Sequence, residues 1–224
     1  AAGSSYNRKW AGGLGDVASF SFHPRKSITT GEGGMVTTND DALAERMNQM
    51  RNHGATISEE QRHNGPRPYI LPDFNLLGFN YRMTDLQGAV GVVQLKKLDS
   101  FIDERAKWSA WYREQLSDVK WLRLPEEPGN GRHGWQSFVT VVDPTSTPMP
   151  RNEIMDYLQK NGVSTRPGTH AVHMLGLYVE KYGLNENDYP GARDCDANTM
   201  AIPLHNRMCE EDYEYVVQMI KGIS

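Results

Sequence analysis

Cysteine is scarce in this chain: two residues, Cys195 and Cys209, in 224. They stand far apart with no metal-ligand spacing around them, so neither a disulfide framework nor a cysteine-built zinc site is indicated. Two isolated cysteines fit a reducing cytoplasm, with both expected as packed thiols. Long apolar runs are also missing. None approaches the ~20 residues that span a bilayer, and no secretory signal opens the sequence. Charge of one sign is not in excess: the net charge is −4 and the basic residues are scattered, which leaves no nucleic-acid footprint. Internal repeats and low-complexity segments are absent. What remains is an ordinary globular composition, 38% apolar and 23% charged, long enough for one sizeable core or two small ones.

Turn residues divide the chain. Gly12-Gly13-Leu14-Gly15-Asp16 precede an alternating run over 17–22 that predicts a strand, and 35–38 predict a second. Asn39-Asp40-Asp41 caps a predicted helix over 42–52, with Leu43, Met47 and Met50 at helical spacing and Gly54 as its stop. Residues 55–79 are rich in Gly, Pro and Asn and read as irregular, a length of loop that is functional or disordered. Thr84-Asp85-Leu86-Gln87 matches a capping box. Apolar positions from Leu86 to Leu116 extend that helix, with a bend expected near Leu98-Asp99. The same point is the expected boundary between domains 1–98 and 99–224. The second domain is predicted to hold strands at 135–142 and 163–166. Its helices are expected over 150–162 and near 173–182, 192–200 and 210–221, a small α+β layer domain.

Three strings carry chemistry. The first strand delivers a hydroxyl (Ser21), an imidazole (His23) and a lone lysine (Lys26) into the turn Ser27-Ile28-Thr29-Thr30-Gly31-Glu32-Gly33-Gly34. One amine at the mouth of a glycine-bracketed turn is what Schiff-base chemistry with a carbonyl cofactor requires. A surface lysine in a hairpin has the same local signature. Period two puts Ser21 and His23 on one strand face, with His23 packed or flanking a cofactor and Glu32 stabilising the turn. The second string is Gly78-Phe79-Asn80-Tyr81-Arg82-Met83-Thr84-Asp85. Asn80 is either a turn residue or, just before a helix N-terminus, an anion-binding group. The third, Thr165-Arg166-Pro167-Gly168-Thr169-His170-Ala171-Val172-His173, sets two imidazoles three apart, one face if helical. With no acidic or cysteine partner close in sequence it does not read as a metal site. Arg166 suits bidentate capture of a carboxylate or phosphate, or is an ordinary surface arginine.

Ser-Phe-His-x-x-Lys running into Thr-Thr-Gly-Glu-Gly-Gly, with Asn-Tyr-Arg-Met at 80–83, closely resembles the DegT-type nucleotide-sugar aminotransferases, a branch of the fold-type I PLP enzymes. The resemblance runs from residue 1 to the C-terminus. It implies an α/β fold: the remainder of a large PLP-binding domain (1–98) plus a small C-terminal α+β domain (99–224). It implies pyridoxal 5′-phosphate as cofactor, Lys26 as Schiff-base former and general base, and Ser21 on the cofactor phosphate. Asn80 would cross a dimer interface to the neighbouring subunit's phosphate, with Tyr81 and Arg82 lining that shared site. His173 aligns with an active-site histidine that assists proton transfer or holds substrate, and His170 and Arg166 fall on the substrate side. Relatives that dehydrate carry a histidine in place of this lysine, so Lys26 argues for transamination over deoxygenation. Arg166-Pro167-Gly168 stands where many relatives have a different stretch, a departure suited to a different sugar or an acidic group.

In that family the lysine motif lies near the middle of a longer chain, and Ala1-Ala2-Gly3-Ser4-Ser5-Tyr6 reads like the middle of a domain. The expectation is therefore a C-terminal portion. The family's phosphate loop, ring-stacking aromatic and pyridine-pairing Asp would precede residue 1. The implied activity is amination of a nucleotide-linked keto-sugar with an amino-acid donor, glutamate, by a cytoplasmic homodimer with shared active sites. Such amino-sugars feed cell-surface polysaccharide. A relative acting on a non-sugar ring ketone, in aminocyclitol or aminobenzoate pathways, and a non-catalytic remnant of the fold are the alternatives.

Overall fold

The computed structural model describes residues 1–223. In chain order its first elements are β1 (Ser5–Tyr6), β2 (Lys9–Trp10), β3 (Val17–Ser21), β4 (Gly34–Thr38), α1 (Asp41–Met50), α2 (Glu59–Asn64), α3 (Asp85–Leu95) and α4 (Leu98–Gln115). There follow β5 (Leu122–Arg123), β6 (Gly131–Arg132), β7 (Phe138–Val142), α5 (Arg151–Lys160), β8 (Arg166–Pro167), α6 (Gly176–Tyr182), α7 (Pro190–Asn198), β9 (Thr199–Ile202) and α8 (Glu210–Lys221). A one-turn 3-10 helix, Val172–Met174, precedes α6. No helix among the described residues is long and apolar enough to cross a membrane. Two compact units result: Ala1–Asp99 with Gly129–Gly134, and Ser100–Pro128 with the chain from Trp135 onward.

In the first unit, β1 lies between β2 and β6, with Ser5 opposite both Trp10 and Arg132. β3 and β4 pair antiparallel from Val17 opposite Thr38 to Ser21 opposite Gly34. Helix α1 starts where it does because the Asp40 carboxylate accepts the Ala42 and Leu43 N–H groups at 2.8 and 3.0 Å. Thr84 and Gln87 form the expected capping box on α3. The helix then breaks at Lys96-Lys97, two positions ahead of the anticipated bend, and α4 restarts at Leu98. Ile28 and Ala55 are the buried apolar side chains of this unit among the described residues. On α3, by contrast, Leu86 is 82% exposed, and Val90, Val92, Val93 and Leu95 also face solvent.

The second unit closes a core of its own. Its sheet runs β5-β7-β9-β8, every pair antiparallel. Strand β7 alternates strictly, burying Phe138, Thr140 and Val142 against α-helical apolar faces. The Thr140 hydroxyl is satisfied by the Met200 carbonyl at 2.9 Å. Trp108 stacks on Tyr213 with ring centroids 4.2 Å apart, and Tyr112 donates to the Pro203 carbonyl at 3.0 Å. Arg105 is buried and bonded through Nε to Asn206 at 2.8 Å and through a terminal nitrogen to the Trp135 carbonyl at 3.2 Å. Burial lowers its pKa.

Several expectations are corrected. A helix, α2, sits inside the stretch read as irregular, nucleated by a Ser58–Gln61 capping box. The strand at 135–142 starts at Phe138, because Trp135 takes a positive φ of 42°. Of the strand expected at 163–166 only Arg166 lies in a strand, β8 with Pro167, and the helix near 173–182 splits into the 3-10 turn and α6. The helix near 192–200 ends at Asn198, and its expected tail is strand β9. Both cysteines are free but exposed, not packed. The Cys209 thiol is pushed up in pKa, chiefly by hydrogen bonding with the Glu211 carboxylate.

The contrast between units sets a test. Phe138→Ala should cost ~3–5 kcal/mol in urea unfolding, whereas Leu86→Ala in the unassociated chain should stay within ~0.5 kcal/mol. Equal losses at the two positions would contradict the assignment of the core.

Candidate active site

Strand β3 ends at Ser21, so His23 lies in the turn beyond it and not on the shared strand face expected from the alternation. The Ser21 hydroxyl oxygen accepts the His23 N–H at 3.3 Å, and His23 Nδ1 accepts the Arg25 N–H at 3.1 Å. Lys26 closes the turn by donating its backbone N–H to the His23 carbonyl at 2.9 Å. Its side chain is exposed and has no ion-pair partner among the described residues.

The rest of the 22–33 connection is tied back to the strands. The Phe22 carbonyl accepts both the Thr30 N–H (3.1 Å) and the Thr29 hydroxyl (2.8 Å), while the Phe22 N–H donates to the Gly33 carbonyl at 2.9 Å. The Gln87 amide on α3 donates to the Glu32 carbonyl at 2.9 Å, and the Glu32 carboxylate lies 3.8 Å from His23 Nε2. Gly33 has φ +149°, and a Cβ there would strike the Thr30 hydroxyl. The outcome is a lysine on a pinned loop, one turn past a strand-end hydroxyl.

Asn80 is set by a different device. Residues 50–54 and 75–81 run against each other, with Phe79 N–H on the Met50 carbonyl (2.7 Å), His53 N–H on Phe79 (2.9 Å) and Tyr81 N–H on Arg51 (2.8 Å). Asn80 pairs with Asn52 across this crossing, and Arg82 donates to the Asn52 side chain at 2.8 Å. The Tyr81 ring stacks on Phe79, centroids 5.0 Å apart. The Asn80 side chain is exposed without a hydrogen-bond partner among the described residues. Asn80 stands four residues ahead of Thr84, the N-cap of α3, whose side chain accepts the Gln87 N–H and leaves the N–H groups of Asp85 and Leu86 outside the cap. Such close approach of two backbones requires Gly54, at φ +82°, and Gly78, whose Cβ would overlap the Gly54 nitrogen.

In the second unit His170 and His173 diverge. Because 170–171 precede the 3-10 turn, the two imidazoles do not share a helix face. His170 is exposed, its Nδ1 lying 3.7 Å from Asp196 Oδ1. The same Asp196 oxygen accepts the Ala171 N–H at 3.1 Å. His173 is buried, its Nε2 3.3 Å from the Glu186 carbonyl, with the Tyr189 ring edge-on at 5.0 Å. Arg166 is exposed on β8, paired with Ala201 of β9. The supporting groups Asp196, Glu186 and Tyr189 left no signal in sequence beyond Tyr189-Pro190 as a helix start. No group of three or more His, Cys, Asp or Glu residues among those described is placed to hold a metal ion.

A sequence profile for the DegT/DnrJ/EryC1/StrS aminotransferase family matches residues 1–221. The chain belongs to this family. Among curated relatives, this DegT-family chain is 35% identical over 225 residues to a GDP-perosamine synthase of Caulobacter vibrioides, covering 100% of the chain and 56% of that protein. The chain thus spans about half the length of the curated relatives it matches. An aminotransferase from Psychrobacter cryohalolentis superposes with a TM-score of 0.89 at 25% identity, covering 99% of this chain and 59% of that one. The PLP-form of Spr1654 from Streptococcus pneumoniae gives 0.86 at 23% identity, over 99% and 55%. The fold is that of the PLP-dependent, fold-type I aminotransferases.

The glycine crossing gives a prediction for this DegT-family chain. Gly78→Ala should ease local opening by on the order of 2 kcal/mol, tens-fold faster amide exchange at His53, Phe79 and Tyr81. Unchanged protection at those three amides would show that the close approach does not constrain the segment carrying Asn80.

Proposed function

We propose that this chain is the lysine-bearing portion of a cytoplasmic PLP-dependent aminotransferase that converts a nucleotide-linked keto-sugar to an amino-sugar, with glutamate as donor. The observation that carries the reading is the exposed Lys26 side chain, without an ion-pair partner among the described residues, on a pinned loop one turn past the strand-end hydroxyl of Ser21. Membership of the family and the likeness to a GDP-perosamine synthase support a sugar substrate. In this reading residues 1–98 belong to the cofactor-binding domain and 99–224 form the small domain.

The donor set suits pyridoxal 5′-phosphate. Lys26 offers an amine for the carbonyl carbon. The Ser21 oxygen already accepts the His23 N–H, which leaves its own O–H free to donate to a phosphate oxygen. The exposed Asn80 amide is a second such donor. When bound, the cofactor supplies an electron sink. Lys26 holds and moves the proton through Nζ as nitrogen is exchanged, a positioned acid–base role that contributes ~10²–10⁴ in rate, ~3–5 kcal/mol of barrier. An arginine there would stay charged. On the substrate side, the exposed Arg166 guanidinium suits a carboxylate or phosphate, and His170 and His173 orient polar groups of the sugar.

A second copy of the chain completes the site. Leu86, Val90 and Val93 line one exposed side of α3, apolar surface whose burial favours association. Asn80, with Tyr81 and Arg82 flanking it, would then serve the neighbouring subunit's phosphate.

Two experiments follow. Borohydride reduction of the PLP-loaded enzyme, then peptide mapping, should find the pyridoxyl group on Lys26; its recovery on another lysine with Lys26 free sinks the assignment. Asn80→Ala should weaken PLP retention without unfolding. Mixed with Lys26→Ala it should regain activity, because one composite site in each heterodimer is intact. Confirmed subunit exchange with no regained activity would rule out the shared site.

A further inference from the structure

His173 is 6% exposed yet held, among the described residues, by a single polar contact, Nε2 to the Glu186 carbonyl at 3.3 Å. A carbonyl oxygen only accepts, so the neutral ring must carry its proton on Nε2 and leave Nδ1 as a bare lone pair. Nδ1 has no hydrogen-bond partner among the described residues and is not one of the fully sealed unpaired atoms. The Tyr189 ring, edge-on at 5.0 Å, limits the ring's freedom to turn over.

The Glu186 carbonyl is itself aimed. The Asp188 carboxylate accepts the Asn185 N–H through one oxygen at 2.8 Å and the Asn185 side-chain amide through the other at 2.7 Å. The Asn185 side-chain oxygen accepts the Asn187 N–H at 3.0 Å, and Arg193 donates to the Asn187 side chain at 2.6 Å. Asn185, Asn187 and Asp188 are all exposed, so none of these bonds is needed to satisfy a buried group. What the turn does present inward is the one carbonyl that meets His173.

We infer that Asp188 is a positioning residue for His173: its carboxylate fixes the 185–188 turn, points the Glu186 carbonyl at Nε2, and so offers Nδ1 as an acceptor to a sugar hydroxyl. The inference rests on the proposal that His173 faces the substrate. It adds a selection rule. A neutral ring in this state accepts from a hydroxyl or amine and has nothing to donate to a phosphate or carboxylate oxygen, which leaves those groups to Arg166.

Nitrogen-15 spectra of the histidine-labelled holoenzyme test this without reference to turnover. The neutral His173 ring should be in the Nε2–H form, and Asp188→Ala should mix the two tautomers while the protein melts as before. With a GDP-linked keto-hexose as probe, Asp188→Ala should raise its KM roughly tenfold and leave kcat within about twofold. The KM for the amino donor should not move. An Nδ1–H ring in the unaltered enzyme, or an Asp188→Ala ring and KM that do not change, overturns the positioning role. His173→Ala separates the two failures: an unmoved sugar KM in that variant retires the substrate-facing reading, and the selection rule with it, whatever Asp188 does to the ring.

Discussion

Burial of apolar surface is the constraint on which this molecule turns, and its two compact units meet it differently. From Ser100 onward the chain supplies both sides of its own core: β7 and β9 give the sheet face, while α4, α5 and α8 cover it. The first unit buries Ile28 and Ala55 and leaves the valines and leucines of α3 in water. What holds its local structure is hydrogen bonding, in caps, the β3–β4 ladder and the crossing of 50–54 with 75–81. Each such bond is worth ~0.5–1.5 kcal/mol net, so the candidate cofactor side chains are positioned by many small terms, while the histidine segment belongs to the unit that closes its own core.

How far the sequence foretold this depends on range. Helix α3 was legible because a capping box is a four-residue signal, and α1 because Asp40 stands at its start. The same signal opens α2 at Ser58, where the surrounding glycines and prolines masked it. Strand β9 was not legible. Asn198-Thr199-Met200-Ala201-Ile202 has no alternation, and its conformation is decided by β7 on one side and β8 on the other, partners distant in sequence. Two-residue strands such as β1 and β8 lie below any periodicity that a pattern could reveal.

The candidate site divides along the same line. Ser21 and Lys26 could be read from the strand-turn string, and the structure adds how the turn is pinned through the Phe22 carbonyl. The spacing of His170 and His173 suggested a shared helical face, but that spacing has meaning only inside a helix, and the 3-10 turn begins at Val172. Asp196 meets Ala171 from 25 residues away, and His170 beside it, which no spacing rule encodes, whereas Asp188 closes a local turn on Asn185 whose link to His173 shows only in the fold.

The placement of tryptophan has a consequence for spectroscopy. Trp108 and Trp135 are buried among Tyr112, Phe138 and Tyr213, with Trp121 in the same cluster and Trp111 packed against it. Trp10 is the remaining one of the five, on β2 in the other unit and 58% exposed. Intrinsic emission therefore follows melting of the aromatic core and is nearly silent about the lysine loop. Light from Trp10, already in water, would shift to the blue only when something covers it.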